Sequence, residues 1–277
     1  NKLLILFLFF IFAPQNIFAS QILDYETEKF ISKIINDITS VNEINKKIIF
    51  KINNSNEINA FVDINNTIHI NSGLIQHCED YVALLSVLAH EIGHIHLNHV
   101  DLRKKNIQDS KKFNNLSMLS MLAGSAISQN PELLQGTLLA NATLSNRYIN
   151  FSKEQEVEAD LYSLKTLELL NVNSDSIINL LMTIEKKLLE KGFKKESQRI
   201  STHPNFENRI RLINNYQNNK KNNYNTNYND KFNFIKAKFI GYSDNDDDIN
   251  KLNEPYKSYA ESIKIARNGK LKMSLQS

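Results

Sequence analysis

Val82-Ala83-Leu84-Leu85-Ser86-Val87-Leu88-Ala89-His90-Glu91-Ile92-Gly93-His94-Ile95 is the stretch on which the reading of this chain turns. It is apolar on most sides, so its spacing predicts a helix from about residue 79 to 97, buried in the centre of a domain. Within it, His90-Glu91-Ile92-Gly93-His94 carries chemistry. Residues four apart on a helix share a face, so the two imidazoles can converge on one metal ion. Glu91 would stand beside a metal-bound water, where a carboxylate acts as general base. Burial would otherwise strand imidazole nitrogens at a cost that ligation removes. The alternative is a helix with two exposed or capped histidines and no metal. Gly93 in mid-helix gives up about 1 kcal/mol of helix propensity, which predicts a close approach to its backbone.

Two histidines leave a catalytic zinc ion short, since such ions take three protein ligands and a water. Glu156 is the best candidate for the third. Residues 152–170 show helical spacing, with Val157, Leu161, Leu164, Leu167 and Leu170 apolar. Glu156 and Asp160 are four apart and share a face close to that stripe. One carboxylate could bind metal while the other holds a ligand imidazole through its far nitrogen. A solvated acidic face is the competing reading. Glu154 and Glu158 project elsewhere, as ordinary surface acids.

Working outward, residues 22–40 read as an amphipathic helix with Ile22, Phe30, Ile34, Ile35 and Ile38 apolar. Residues 48–52 are β-prone, and 60–64 and 67–70 flank Asn65-Asn66, a hairpin-like turn. Thr67, Ile68, His69 and Ile70 alternate as in a half-buried strand, which Gly73 closes. Leu116 to Ile127 is apolar but too short to cross a bilayer. It is read either as a helix packed on the metal-binding helix or as a lid or membrane-touching segment. Residues 214–230, rich in Asn, Lys and Tyr, read as a linker. Residues 232–242 and 257–275 are helical candidates.

Lys2 and the apolar run Leu3 to Phe12, followed by Ala13-Pro14 and a small residue before Ser20, form a secretory signal pattern over residues 1–19. An uncleaved anchor is the alternative. Cys78 is the single cysteine, so no internal disulfide is expected, and it reads as a small packed residue. A formal charge of +3, with lysines scattered among acids, argues against nucleic acid as a partner. No repeat recurs along the main body.

Four blocks together resemble the HtpX-like zinc metallopeptidases, peptidase family M forty-eight, in particular their periplasmic BepA-like branch. The first is Asn59-Ala60-Phe61 with Ile68-His69-Ile70-Asn71-Ser72-Gly73-Leu74, and the second Leu88 to His94 with His99 trailing. The third, Ser152 to Asp160, is similar to the family's S-R-x-x-E-x-E-A-D block, with Lys153 where arginine is usual. The fourth is Ser201-Thr202-His203-Pro204 followed by Arg209-Ile210. The resemblance implies His90, His94 and Glu156 as ligands of one Zn2+ per chain, Glu91 as base, and Asp160 as the group orienting a ligand histidine. It also implies that His203 reaches the zinc in a resting form and switches the enzyme off. Read by itself, His203 is a lone histidine before proline, structural or a metal ligand. Lys153 loses the arginine's two-pronged grip on a carboxylate, implying lower activity if that arginine organises the site.

The expected fold is α+β, mostly helical, with a zincin-like metallopeptidase core and a small β-sheet edge before the active-site helix. The expected domains are a signal peptide at 1–19, the zinc metallopeptidase domain at 20–213 and the linker at 214–230. A short helical segment at 231–277 follows, read as a truncated tetratricopeptide-like repeat from Tyr259-Ala260, Ala266 and Gly269. The expected activity is zinc endoproteolysis of unfolded or misassembled envelope proteins, with Thr67, Ile68, His69, Ile70 and Asn71 aligning an extended substrate by strand addition. The rival is a chaperone-like assembly factor with weak or self-inhibited proteolysis. Export to a bacterial periplasm is expected, with peripheral membrane contact as an option. An integral membrane protease would need apolar spans of about twenty residues, which are absent beyond the N-terminus.

Overall fold

Asp80 starts the central helix, α3 (Tyr81–His96), one residue after the expected Glu79: its carboxylate accepts the Ala83 N–H at 2.9 Å. Every residue of α3 except Val87 and His96 is buried, as its all-round apolar character requires. The computed structural model describes residues 20–105, 108–109, 151–192, 206–216, 223–243 and 245–269. The expectations for residues 1–19 and 116–127 and for His203 lie outside the described residues.

Before α3 comes a small sheet and two helices. Strand β1 (Gln21–Ile22) leads into α1 (Tyr25–Val41), whose N-cap Asp24 accepts the Thr27 N–H at 2.8 Å. Ile22 therefore belongs to a strand, not to the helix expected from residue 22. Strands β2 (Ile49–Asn53), β3 (Ala60–Val62) and β4 (Thr67–Asn71) complete a sheet of order β1-β2-β4-β3. The β3–β4 pair is the expected hairpin. Asp63 Oδ1 accepts the N–H groups of Asn65 and Thr67 at 2.8 and 2.9 Å, and Asn66 takes the left-handed φ of 60° that Asn tolerates.

β4 pairs in parallel with β2 and antiparallel with β3. It therefore has no open edge, and the expectation that Thr67, Ile68, His69, Ile70 and Asn71 receive a substrate strand is corrected. Among the described residues the edge strands are β1 and β3, and β3 is the one beside β4. The bonds Asp63 N–H to Thr67 O and Asn71 N–H to Asn59 O fix the alternation. It turns the N–H and C=O groups of Ala60 and Val62 away from β4.

A short helix, α2 (Ser72–His77), lies between β4 and α3. Gly73 sits in its first turn, where a Cβ would come within 2.5 Å of the Asn56 carbonyl oxygen. The glycine thus serves close backbone packing. Cys78, just past α2, is buried and unpaired as expected, and burial pushes its thiol pKa upward.

Helices α4 (Lys153–Leu170) and α5 (Asp175–Glu190) pack on α3, and α6 (Phe206–Asn215) packs on α4 and α5, with Leu164, Leu167, Ile177, Leu180, Leu181, Phe206 and Ile213 entering the main core. A complete capping box at Ser152 and Gln155 starts α4. The following helix, α7 (Thr226–Tyr242), joins the same core through Phe232, Ile235 and Phe239. It begins within the stretch read as linker, because Asn225 caps it by accepting the Tyr228 N–H. Helices α8 (Asp246–Asn250) and α9 (Tyr256–Arg267) lie on its far side around Ala237, Ile240, Ile249 and Ala260. The architecture is mostly helical α+β, and no helix among the described residues is long and apolar enough to cross a membrane.

Candidate metal centre

α3 and α4 pack against one another, and Gly93 lies in their contact. A Cβ there would meet the Tyr162 ring at 3.1 Å, so the expected close neighbour is an aromatic side chain. This packing brings α4 carboxylates under the α3 histidines. His90, His94 and Glu156 are all buried, and each offers a ligand atom within 4.8 Å of the others. No other group of this kind occurs among the described residues.

The separations test whether zinc fits. Tetrahedral donors about 2.0–2.2 Å from zinc stand about 3.3 Å apart. Here His90 Nε2 and His94 Nε2 are 3.1 Å apart. Glu156 Oε2 is 3.5 Å from His90 Nε2, and Glu156 Oε1 is 3.6 Å from His94 Nε2. Two neutral imidazoles and one carboxylate in that arrangement suit a zinc ion with one position left for water. Glu91, 1% exposed, lines a cavity together with His90.

The orienting groups are equally defined. His90 Nδ1–H donates to Asp160 Oδ1 at 2.8 Å, which leaves the Nε2 lone pair facing the cluster. Asp160 is itself gripped by Arg209 of α6, through Nε to Oδ2 at 2.9 Å and Nη2 to Oδ1 at 2.7 Å. Burial alone would raise the Asp160 pKa, but the Arg209 charge and the His90 bond overcome it and bring it down to about 2. Lys153, by contrast, is exposed at the first position of α4. The two-pronged grip on a carboxylate therefore comes from Arg209, and the concern raised by lysine at 153 does not apply to this contact.

His94 is held differently. Its Nδ1 lies 3.0 Å from His99 Nδ1, and His99 Nε2 lies 2.9 Å from Glu158 Oε2. If His94 presents Nε2 to a metal, its Nδ1–H must donate to His99, whose own Nε2–H then donates to Glu158. Glu158, read from the sequence as an ordinary surface acid, is thus exposed yet part of the site. Phe151 stacks on the His94 ring at 3.7 Å and 12°, and the Arg103 guanidinium lies 4.4 Å from the Phe151 centroid. Arg103 Nη2 also donates to the outward carbonyl of Val62 at 2.9 Å, tying the β3 edge to the helical segment that follows α3. Sequence reading noted His99 and Arg209 only as parts of blocks and missed Phe151 and Arg103, since a role made by contacts across the fold leaves no local spacing.

Comparison with known proteins agrees with this geometry. The model of the family described as Peptidase family M48 matches residues 26–217, more than half of the chain. Metalloprotease LoiP of Escherichia coli K12 is 32% identical over 158 residues, covering 56% of this chain and 57% of that protein. The beta-barrel assembly-enhancing proteases of Escherichia coli K12 and Yersinia pestis are 25% and 23% identical over 177 and 178 residues. Each of these matches covers 62% of this chain. The chain spans 35% of the length of each of these two.

Proposed function

The chain belongs to peptidase family M48, and from that premise we propose that it is a zinc-dependent endopeptidase acting on unfolded or misassembled proteins of the cell envelope. The observation that carries this reading is the buried His90–His94–Glu156 cluster with Glu91 in the same helix turn. When bound there, zinc supplies a Lewis acid for the scissile carbonyl and lowers the pKa of water towards neutrality. Glu91 accepts a proton from the attacking water and returns it to the leaving amine. Asp160, fixed by Arg209, keeps the His90 lone pair aimed at the cluster, and His99 does the same for His94. Strand addition by a substrate falls to β3, an edge strand among the described residues, where Arg103 already bonds the Val62 carbonyl and Ala60, 3% exposed, must be uncovered before a strand can reach its main-chain groups. Recognition through main-chain bonds would give weak sequence preference, as suits unfolded substrates.

The N-terminal composition supports an envelope role: Lys2 and the apolar run to Phe12 resemble a secretory signal. The names of the beta-barrel assembly-enhancing relatives suggest substrates connected with beta-barrel assembly. The chaperone-like alternative draws on lysine at 153 and on blockage of the metal by His203; Arg209, not residue 153, supplies the grip on Asp160, while His203 lies outside the described residues. To test the proposal, the purified full chain is assayed for bound zinc and for digestion of an unfolded protein. Glu91→Gln should cut the rate by about a hundredfold or more while retaining metal. Equal digestion by wild type and variant would refute it.

A further inference from the structure

A cavity of about 60 Å³ opens beside the metal cluster. His90, Glu91 and Ala60 line one part of it, so it touches the proposed base and the edge strand β3 together. Its wall is apolar and drawn from four helices: Leu74 of α2, Leu164 of α4, Leu180 and Leu181 of α5, and Phe206 and Ile213 of α6. All six are buried. Close-packed interiors keep few voids larger than a water molecule, so such a space next to a reacting group calls for an occupant.

The chemistry of that occupant follows from the polar groups on the lining. Ser163 donates to the Ser86 carbonyl at 2.8 Å, and the Ser86 hydroxyl donates to the Val82 carbonyl at 2.7 Å. Asp160 and Arg209 engage one another through two hydrogen bonds. A charged or amide side chain entering here would give up water for partners already committed elsewhere. Size narrows the choice further. A water needs roughly 10–15 Å³ of such volume, so the cavity equals about four waters, room for a leucine-sized aliphatic group and too little for an indole.

We propose that this cavity is the pocket that sets cleavage preference by taking one leucine-, isoleucine- or methionine-sized side chain flanking the scissile bond. The proposal rests on the peptidase reading above. It joins two kinds of recognition: strand addition that ignores side chains, and one apolar anchor that chooses where the chain is cut. Unfolded proteins expose such residues and folded ones bury them, so the anchor itself selects for the unfolded state.

The test uses the zinc-loaded full chain and a set of peptides identical except at the two positions flanking the cleaved bond, which carry Ala, Leu, Phe, Trp, Asp or Lys. Mass spectrometry reads the cleavage site and the initial rates. Leucine on one side should exceed alanine and tryptophan by about tenfold or more in kcat/KM. Ile184→Ala, at a partly buried lining position, should shift the preference toward phenylalanine with little change in melting temperature. The same peptides are titrated onto Glu91→Gln, where binding should rank leucine first. Cleavage at equal rates whatever the flanking residue would overturn the pocket and leave the peptidase reading standing. Absence of cleavage by wild type, with leucine still ranked first in binding, would overturn the peptidase reading and keep the pocket. Binding without rank in either protein would end the proposal.

Discussion

Replacing Asp160 with asparagine removes one charge and almost no volume, and the structure allows the consequence to be worked out. The folded carboxyl sits at about 2 against an ordinary 3.8. That difference corresponds to about 2 kcal/mol of net stabilisation of the ionised form. The variant also leaves the Arg209 guanidinium, 11% exposed, without its counter-charge, and breaking a buried pair costs about 3–5 kcal/mol. Asp160→Asn should therefore destabilise the metal-free protein by about 2–5 kcal/mol. It should also weaken zinc binding about ten- to a hundredfold, because His90 loses the acceptor that fixes its tautomer. Because the folded pKa is depressed, the carboxylate's contribution is present above pH 3.8 and is lost as pH falls toward about 2. In chelator, the stability gap between wild type and variant should thus narrow below pH 4, and also shrink as pH rises through the histidine range, because against burial Asp160 raises the pKa of His90 as well. Denaturant melts across pH and chelator competition for zinc measure both quantities. Pairing the change with Arg209→Met should recover part of the lost stability. Wild-type melting and zinc affinity in Asp160→Asn would refute the reasoning.

Gly93→Val should destabilise by about 1–3 kcal/mol through overpacking against the Tyr162 ring, and Tyr162→Ala should relieve the penalty in a thermal-melt double-mutant cycle. His99→Phe should lower zinc affinity by about tenfold or more, and Glu158→Gln should lower it less, since that carboxylate is 60% exposed. Glu154→Gln, on the neighbouring exposed face, should leave chelator competition unchanged. Lys153→Arg should change proteolytic rate by less than about twofold, because surface substitutions away from a site act weakly. A large gain in activity would reinstate residue 153 as an organiser of the centre.

What could be read along the chain was whatever local geometry decides. Two histidines four apart converge whatever surrounds them, and Asn65-Asn66 between alternating segments makes a hairpin from nearby hydrogen bonds. Glu156 was reachable because α4 has its own period and its carboxylates could be sorted by face. Strand order was not, since β4 becomes interior only when β2 joins it in parallel, past the intervening strand β3. The partner of Asp160 was hidden similarly: residue 153 is close in sequence, but the guanidinium that arrives lies 49 residues further on. Glu158 looked like any solvated acid because only the turn after α3 brings His99 up to it. The linker reading failed at Thr226 because Asn and Tyr, poor markers of a helix, were outweighed by the Asn225 cap and by burial of Phe232 and Phe239.

Arg103 and Phe151 stand on either side of a long intervening stretch of sequence, yet the cation rests on the ring and the ring rests on His94. The departure and return of that stretch are thus clasped together against a metal ligand. Any force or ligand that pries the clasp apart would tilt an imidazole and loosen a sheet edge in one movement.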